Sequence, residues 1–255
     1  MTLTLTPLSG IPLIQPGNDL TSIILNALKI NNLEIQDGDI LVVAQKIVSK
    51  SENRYVNLLN VTPSAKALEI SNITNKDPRL VELILLESNE ILRNRPGSII
   101  AENKCGFVCA NSGIDHSNVA GDGTETGDWV LLLPENPDAS AAILRKNLEK
   151  STGKKIGVLI IDSHGRAWRL GTVGVTIGIS GMPGLLDERG WKDLFGYTLK
   201  ITTVGVADEL AAGASLVMGQ AAEGTPVVHV RGFQYPLREA SLKELIREKE
   251  FDMFR

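Results

Sequence analysis

The chain has 255 residues, of which 43% are hydrophobic and 22% charged, and its formal net charge is −4. Enough apolar residues are present for the core of one large domain or two small ones. The negative charge and the scattered Lys and Arg argue against nucleic-acid binding. No stretch reaches the roughly 18 apolar residues of a membrane span, and the N-terminus lacks the charged start of a signal peptide. We therefore expect a cytoplasmic protein with no membrane or nucleic-acid partner.

Apolar periodicity predicts alternating strands and helices. In the first half, the predicted elements are a strand over 2–6, a helix from 20 to about 31, a buried strand over 40–44, helices beginning near 65 and 78, and a strand region from 99 to 110. In the second half, they are strands over 129–133, 156–161, 199–204 and 227–230, and helices over 139–150, 207–218 and 242–250. The glycine-rich segment 171–184 is expected to let backbones pack closely.

The chain has two cysteines, Cys105 and Cys109. Their spacing places them on one face of a single predicted strand, and two thiols do not match a zinc site, which usually has four ligands. We interpret them as reduced, structural thiols of a cytoplasmic protein.

A polar turn follows the apolar run that begins at Gly106 and ends near Ala110. It presents Asn111, Asp115, Ser117 and Asn118 within eight residues. Turns that follow a strand are frequent places for metal ions and phosphates. The same residue types also form ordinary turns, which is the alternative interpretation.

A second polar turn is predicted directly after the strand over 156–161. Here Asp162 and Ser163 place a carboxylate beside a hydroxyl, a combination that suits Mg²⁺ or Mn²⁺. Two acids at strand ends make a two-carboxylate metal site more plausible than either acid alone.

Lysines follow the buried strand over 40–44. Gln45, Lys46 and Lys50 come just past its carboxyl end, where an anion can bind; solvated surface lysines are the alternative. The loop over 218–225 offers further backbone amides. Two acids, two lysines and free amides suit a metal-bound nucleoside triphosphate. The Rossmann fingerprint and the P-loop are both absent from the sequence, and its three histidines give no convincing Ser-His-Asp arrangement.

These residues lie in motifs that resemble one known family over nearly the whole chain, in unbroken order. The motifs are Gly10-Ile11-Pro12-Leu13-Ile14, Ile47-Val48-Ser49-Lys50, Ala110-Asn111-Ser112-Gly113-Ile114-Asp115-His116-Ser117-Asn118, Leu133-Pro134-Glu135-Asn136-Pro137-Asp138, Asp162-Ser163-His164-Gly165-Arg166 and Ala207-Asp208-Glu209-Leu210. They resemble the F420-0:γ-glutamyl ligases, GTP-dependent enzymes in the biosynthesis of the deazaflavin coenzyme F420.

The resemblance implies a set of site residues. The GTP site is implied at Ile11, Pro12, Leu13, Ile14, Gln45, Lys46, Lys50, Asn118, Met218, Gly219, Gln220, Ala221, Ala222, Glu223, Gly224 and Thr225. Asp115, Asp162, Ser163 and Gln220 are the implied ligands of Mg²⁺ or Mn²⁺, and Lys50, Asp115 and Asp162 are the implied catalytic residues.

The chain departs from the family pattern in three places. Gln45-Lys46 stands where smaller hydroxyl residues are expected, Ser163 replaces a more usual threonine, and Gln220 stands where an acid is common. A hydroxyl and an amide oxygen can both still bind a metal ion, although a neutral amide attracts it less than a carboxylate.

The resemblance also implies an unusual α/β (α+β) fold of mixed sheets with packed helices, neither Rossmann nor P-loop. One ligase unit over residues 1–255 is expected, with room for two intertwined subdomains, and no fused flavin-binding reductase domain. Family members are similar in forming homodimers, and some need a monovalent cation such as K⁺.

The implied reaction joins L-glutamate to the carboxylate of coenzyme F420-0 through an acyl phosphate made from GTP, and repeats to extend a γ-linked tail. The alternatives are the same ligase chemistry on another carboxylate, a metal-dependent phosphohydrolase, and a regulator that binds GTP without turnover.

Overall fold

The computed structural model describes residues 2–123 and 126–254. Its strands and α-helices are, in chain order, β1 (Thr4–Pro7), α1 (Leu20–Ile30), β2 (Ile40–Ala44), α2 (Gln45–Ser51), β3 (Tyr55–Asn57), α3 (Ala65–Thr74), α4 (Pro78–Leu86), β4 (Ser88–Arg95), β5 (Ser98–Asn103), β6 (Val108–Ala110), β7 (Trp129–Leu131), α5 (Pro137–Thr152), β8 (Gly157–Arg166), β9 (Arg169–Ser180), β10 (Leu186–Asp187), β11 (Thr203–Val204), α6 (Val206–Met218) and β12 (Val227–Arg231). Short 3₁₀ helices cover Leu58–Asn60, Asn111–Gly113, Leu242–Glu244 and Lys249–Phe251. No helix in the described ranges is long and apolar enough to cross a membrane.

The largest sheet has five strands in the order β1-β12-β2-β8-β9. Its central pair, β2 and β8, is parallel, and the other pairs are antiparallel. The β2–β8 register pairs Ala44 with Ile161. Gln45, the first residue after β2, therefore lies beside Asp162, with which β8 continues past the end of β2.

The central strands are apolar because both of their faces are buried. On one face, Leu41, Val158 and Ile160 pack with residues of α1 and α5. On the other face, Val42 and Leu159 pack with residues of α6. The helices thus cover both faces of β2 and of the first half of β8.

The chain between α2 and α5 forms smaller sheets with their own apolar clusters. Helices α3 and α4 pack with the three-stranded sheet β4-β5-β6, and β3 pairs with β7. The structure is therefore mixed α/β with several sheets and is not a closed barrel, as expected. The assignment of these layers to two subdomains stays a prediction.

The glycines of β9 allow the close backbone packing expected from the sequence. A Cβ atom at Gly174 would lie 2.4 Å from the carbonyl oxygen of Ala211 in α6. At Gly178 it would lie 2.5 Å from the carbonyl oxygen of Pro137 in α5. Any larger residue at either position would push a helix away from the sheet.

The helix starts follow from local capping. Asp19 accepts a hydrogen bond from the Thr21 amide, Ser64 from that of Ala67, and Asp77 from that of Arg79, each at the N-cap of the helix that follows. These caps satisfy amides that the first helical turn leaves unpaired, and they confirm three predicted starts. Asn136 caps α5, so Asp138 lies in its first turn.

Four sequence predictions were wrong. Asp162–Arg166 is not a turn, because β8 continues through these residues and pairs with β9 as far as Arg166. The C-terminal helix over 242–250 is absent from the described residues and is replaced by two 3₁₀ turns. Cys105 and Cys109 do not share a strand, since Cys105 lies in the turn before β6. The strand over 199–204 is reduced to Thr203–Val204.

Candidate active site

Three segments converge near the carboxyl end of β2 and the middle of β8. Helix α2 supplies Gln45, Lys46 and Lys50, β8 supplies Asp162 and Ser163, and the segment after β6 supplies Asp115. The backbone of Asp115 exchanges two hydrogen bonds with Leu131, each 2.9 Å long, which fixes the segment to β7. Asp162 lies within β8 and not after it, so it is not the strand-end acid that the sequence predicted, and the common metal site of Asp115 and Asp162 stays a prediction.

Asp115 is the most electrostatically perturbed of these side chains. Burial and, next, the negative charge of Asp162 raise its pKa from 3.8 to about 6. Lys46, whose Nζ lies 3.1 Å from Oδ1, and the Gln45 amide oppose this shift without cancelling it. The positive charge near Asp115 is thus too small to offset both its burial and the neighbouring carboxylate of Asp162.

Gln45 holds Asp115 in place from a fully buried position. It is 2% exposed; its Nε2 donates to Asp115 Oδ2, and its Oε1 accepts a 2.9 Å hydrogen bond from the Ser49 hydroxyl. Its side chain therefore connects α2 to the carboxylate. No local pattern indicates this positioning role, and the nucleotide contact of Gln45 stays a prediction.

Asp162 and Ser163 point to different neighbours because successive residues of a strand face opposite sides. Asp162 Oδ2 lies 3.0 Å from His164 Nε2, and the His164 ring lies against Phe107 with a centroid distance of 5.3 Å. The Ser163 hydroxyl donates to Gln220 Oε1 at 2.8 Å. Two of the predicted metal ligands, Ser163 and Gln220, are thus in direct contact.

The lysines and Asn118 form the other side of the site. Lys50 Nζ donates to the Asn118 carbonyl oxygen at 2.7 Å, and Lys46 Nζ donates to the Ser117 hydroxyl at 3.2 Å. Burial and, next, the charge of Lys46 lower the pKa of Lys50. Asn118 Nδ2 donates to the Ala221 carbonyl oxygen at 3.0 Å, which connects this side to the loop over 218–225.

The two remaining predicted nucleotide segments border the same region. The loop with Ile11–Ile14 is joined to α2 by a 2.9 Å hydrogen bond from the Gly17 amide to the Ser51 carbonyl oxygen. Ile14 is buried in the core, whereas Leu13 is 87% exposed. Across the site, Thr225 donates to the Met218 carbonyl oxygen at 3.1 Å and so closes the base of its loop.

No group of three or more His, Cys, Asp or Glu side chains in the described ranges could hold a metal ion. The predicted ligands are two carboxylates and two neutral oxygens, so such a group is not required for them. Hard cations such as Mg²⁺ bind one or two carboxylates and complete their shell with neutral oxygens, water or phosphate. The donor set of Asp115, Asp162, Ser163 and Gln220 fits that chemistry.

Comparison with known proteins places the chain in one family. The profile of the family described as F420-0:Gamma-glutamyl ligase matches residues 10–232. The coenzyme F420:L-glutamate ligase of Methanococcus maripaludis (strain C6) is 49% identical over 245 residues, covering 96% of this chain and 94% of the relative. That of Methanothermobacter thermautotrophicus is 46% identical over 257 residues and covers both chains completely. The chain belongs to the F420-0:γ-glutamyl ligase family.

Proposed function

We propose that the chain is a GTP- and divalent-metal-dependent ligase that adds L-glutamate to coenzyme F420-0, and then further γ-linked glutamates. Family membership supports the ligation of glutamate. The observation that carries the nucleotide and metal requirement is the electrostatic coupling of Asp115 and Asp162 beside Lys46. Carboxylates that repel each other next to cations are suited to a site that receives metal ions and phosphates together.

Mg²⁺ or Mn²⁺ fits the oxygens of Asp115, Asp162, Ser163 and Gln220. When bound, the ion would offset negative charge on the phosphoryl group that is transferred. Burial and, next, the charge of Asp162 raise the pKa of Asp115, and a divalent cation bound here would offset the negative charge of the two carboxylates. A requirement for K⁺ remains a proposal from the family resemblance.

The lysines and amides of the site bind and orient the nucleotide. Lys50 is our choice for the phosphate cation, since its Nζ lies beside Asn118 and its lowered pKa reports burial next to Lys46. The loops over 11–14 and 218–225 border the same region and supply backbone amides. Such groups stabilise negative charge on a phosphoryl group without a covalent step of their own.

The proposed reaction has two steps. A carboxylate oxygen of F420-0 attacks the γ-phosphorus of GTP, so that GDP leaves and an acyl phosphate forms. The amine of L-glutamate then attacks the acyl carbon, and the amide forms as inorganic phosphate leaves and the amine gives up its proton. Repetition at the new γ-carboxylate lengthens the tail.

Mass spectrometry of F420-0 after incubation with the protein, GTP, Mn²⁺ and L-glutamate tests this function. A gain of one or more glutamyl units is expected. Phosphate release without glutamate or acceptor would favour a phosphohydrolase, and tight GTP binding with no product would favour a regulator. If F420-0 stays unchanged while another carboxylate compound supports glutamate-dependent GDP formation, that compound would be the acceptor instead of F420-0.

We also propose that the protein is a homodimer, on the basis of two exposed apolar segments. In the β8–β9 hairpin, Trp168 is 88% and Leu170 98% exposed, and in the β10–β11 connection Leu194 is 97% and Phe195 96% exposed. Apolar side chains this exposed and this close in sequence usually mark a protein interface. Light scattering of the purified chain is expected to give twice the monomer mass.

A further inference from the structure

Both carboxylate oxygens of Asp115, a predicted metal ligand, accept contacts from the first turn of α2. Lys46 Nζ lies 3.1 Å from Oδ1, and Gln45 Nε2 donates to Oδ2. The two donors differ in kind, because the ammonium group carries a full positive charge and the amide carries none. Only Lys46 therefore places a cation beside an oxygen that a metal ion would bind.

This ammonium group and a divalent cation cannot share Asp115 without mutual repulsion. The side chains of Lys46 and Asp115 are 27% and 23% exposed, so the pair is partly withdrawn from water. Like charges repel each other more strongly where water is displaced, because the effective dielectric constant is lower there. A metal ion on Asp115 thus binds weakly unless Lys46 leaves the carboxylate.

The other contacts of the two site lysines show where Lys46 can move. Its Nζ also donates to the Ser117 hydroxyl at 3.2 Å, and Lys50 Nζ donates to the carbonyl oxygen of the next residue, Asn118, at 2.7 Å. Burial and, next, the charge of Lys46 lower the pKa of Lys50. Two ammonium groups that meet at one turn and repel each other are suited to a shared anion such as a phosphate.

Lys46 is also the more easily displaced of the two donors to Asp115. Gln45 is 2% exposed and is held by the Ser49 hydroxyl, whereas Lys46 is partly exposed on a flexible four-carbon chain. In the described part of the chain, Lys46 forms no ion pair other than that with Asp115. Its displacement by a metal ion leaves the ammonium group without an ionic partner unless an anion enters as well.

We infer that Lys46 is an exchangeable cation, which pairs with Asp115 in the free protein and passes to a phosphate group of the nucleotide when a metal ion binds Asp115. This inference rests on the proposed function. The exchange involves no covalent step and keeps every charge paired, because Asp115 gains the metal ion as Lys46 gains a phosphate oxygen. Either ligand alone leaves one of the two groups unpaired. Metal ion and nucleotide therefore bind cooperatively.

The test is a Lys46→Met variant, which keeps the length of the side chain and removes its charge. Mn²⁺ binding is measured by electron paramagnetic resonance without nucleotide, at about pH 8, well above the raised pKa of Asp115. The dissociation constant of Mn²⁺ should fall about tenfold, because the competing cation is gone. If Lys46 only positioned Asp115, its removal would weaken metal binding instead.

Three further variants are matched to this one. Gln45→Leu removes the neutral donor to the same carboxylate and should shift Mn²⁺ binding in the opposite direction. Lys46→Arg keeps a cation beside Asp115 and should bind Mn²⁺ as weakly as the wild type. Lys154→Met removes the same charge outside the site, where Lys154 Nζ lies 3.8 Å from Asp37 Oδ2, and should leave Mn²⁺ binding unchanged.

The other half of the exchange is tested with the nucleotide alone. With divalent ions removed by a chelator, calorimetry should give a dissociation constant for GTP about tenfold higher for Lys46→Met than for the wild type, since one phosphate contact is lost. One substitution thus tightens the binding of the metal ion and weakens that of the nucleotide. A general disturbance of the site would weaken both.

Mn²⁺ binding that is unchanged or weaker in Lys46→Met overturns the exchange, and so does an unchanged dissociation constant for GTP. If either result is obtained while the wild type adds glutamate to F420-0, only the exchange fails. If the binding constants change as expected but the wild type never extends F420-0, the ligase function fails and the exchange stands. If the wild type binds neither Mn²⁺ nor GTP, both fail.

Discussion

A buried aspartate, Asp39, directly precedes β2, and a partly buried one, Asp115, lies near the carboxyl end of this strand; their pKa values are shifted in opposite directions. At the amino end, burial opposes the ionisation of Asp39, but hydrogen bonds from Arg231 and His229 outweigh it and hold its pKa well below the ordinary value. At the carboxyl end, burial and Asp162 raise the pKa of Asp115 to about 6.

This difference separates a structural carboxylate from a functional one. The carboxylate of Asp39 is neutralised within the protein by its contacts with His229 and Arg231, which also connect the start of β2 to β12. Asp115 is paired with Lys46 and lies near Lys50, but these lysines do not offset its burial and the charge of Asp162, so its pKa stays raised. Perturbed carboxylates of this second kind are typical of functional sites.

The largest expected effect comes from breaking the functional pair. Asp115→Ala and Asp162→Ala should each lower GDP release that depends on both F420-0 and L-glutamate by at least about a hundredfold, because each removes charge that the transferred phosphoryl group requires. Unfolding temperatures should not fall with activity. Asp37→Ala, an exposed carboxylate outside the site, is the control. Near-normal turnover in either site variant would remove the metal role assigned to these residues.

Neutralising the structural carboxylate of Asp39 should lower the stability of the protein and leave its activity unchanged. Asp39→Asn leaves Arg231 and His229 without their buried partner and should lower the free energy of unfolding by about 3 kcal/mol. In a chain of this size that is roughly 6–12 °C in unfolding temperature. Calorimetry measures the loss, and turnover per folded molecule should be unchanged. A variant as stable as the wild type would show that the network at this end is not needed for the fold.

The two carboxylates also predict opposite pH dependence in metal-free buffer. The folded pKa of Asp115, about 6, lies above its unfolded value of 3.8, so its stabilising contribution is complete below about pH 4 and is lost as the pH rises through 6. That of Asp39 is present above about pH 4 and is lost at lower pH, because its folded pKa is lowered. Relative to Asp115→Asn, the wild type should lose about 5 °C in unfolding temperature between pH 4 and pH 7.5. A constant difference between the two proteins would contradict this assignment.

The smallest of the expected effects concerns the positioning of Asp115. Gln45→Leu keeps the packing volume and removes the hydrogen bonds to Asp115 and from Ser49. The affinity for Mn²⁺, measured by electron paramagnetic resonance without substrates, should fall about tenfold, as is usual when the partner of a metal ligand is lost. Gln15→Leu in the exposed loop before α1 is the control. Unchanged Mn²⁺ binding in Gln45→Leu would make Gln45 a packing residue only.

Much of the fold could be predicted from sequence where one local signal decided the structure. The apolar run Ile40–Ala44 is β2 with both boundaries correct, and Asp19 caps α1 as its position before an apolar helical pattern predicts. The sequence also predicts a common site for Asp115 and Asp162, because both are expected at strand ends, but Asp162 lies within β8 and Asp115 follows β6 of a different sheet.

The rest depended on partners that no local pattern reveals. Residues Asp162–Arg166 look like a turn, yet the neighbouring strand β9 offers backbone partners as far as Arg169 and keeps them extended. Strand β4 was not predicted because it is largely polar and its pairing with β5 contains two register shifts. The burial of Gln45 depends on Asp115, which is 70 positions further along the chain.

The outer edge of β9 has a consequence for self-association. The amide of Thr176 donates to Asp208 and that of Ile179 donates to Asp138, so two carboxylates occupy donors that an added strand would need. Exposed strand edges can pair with strands of other molecules and so cause aggregation, and charged side chains at the edge prevent this pairing. Around Thr176 and Ile179, a second copy of this chain therefore cannot pair with β9 as an added strand and can contact it only through side chains.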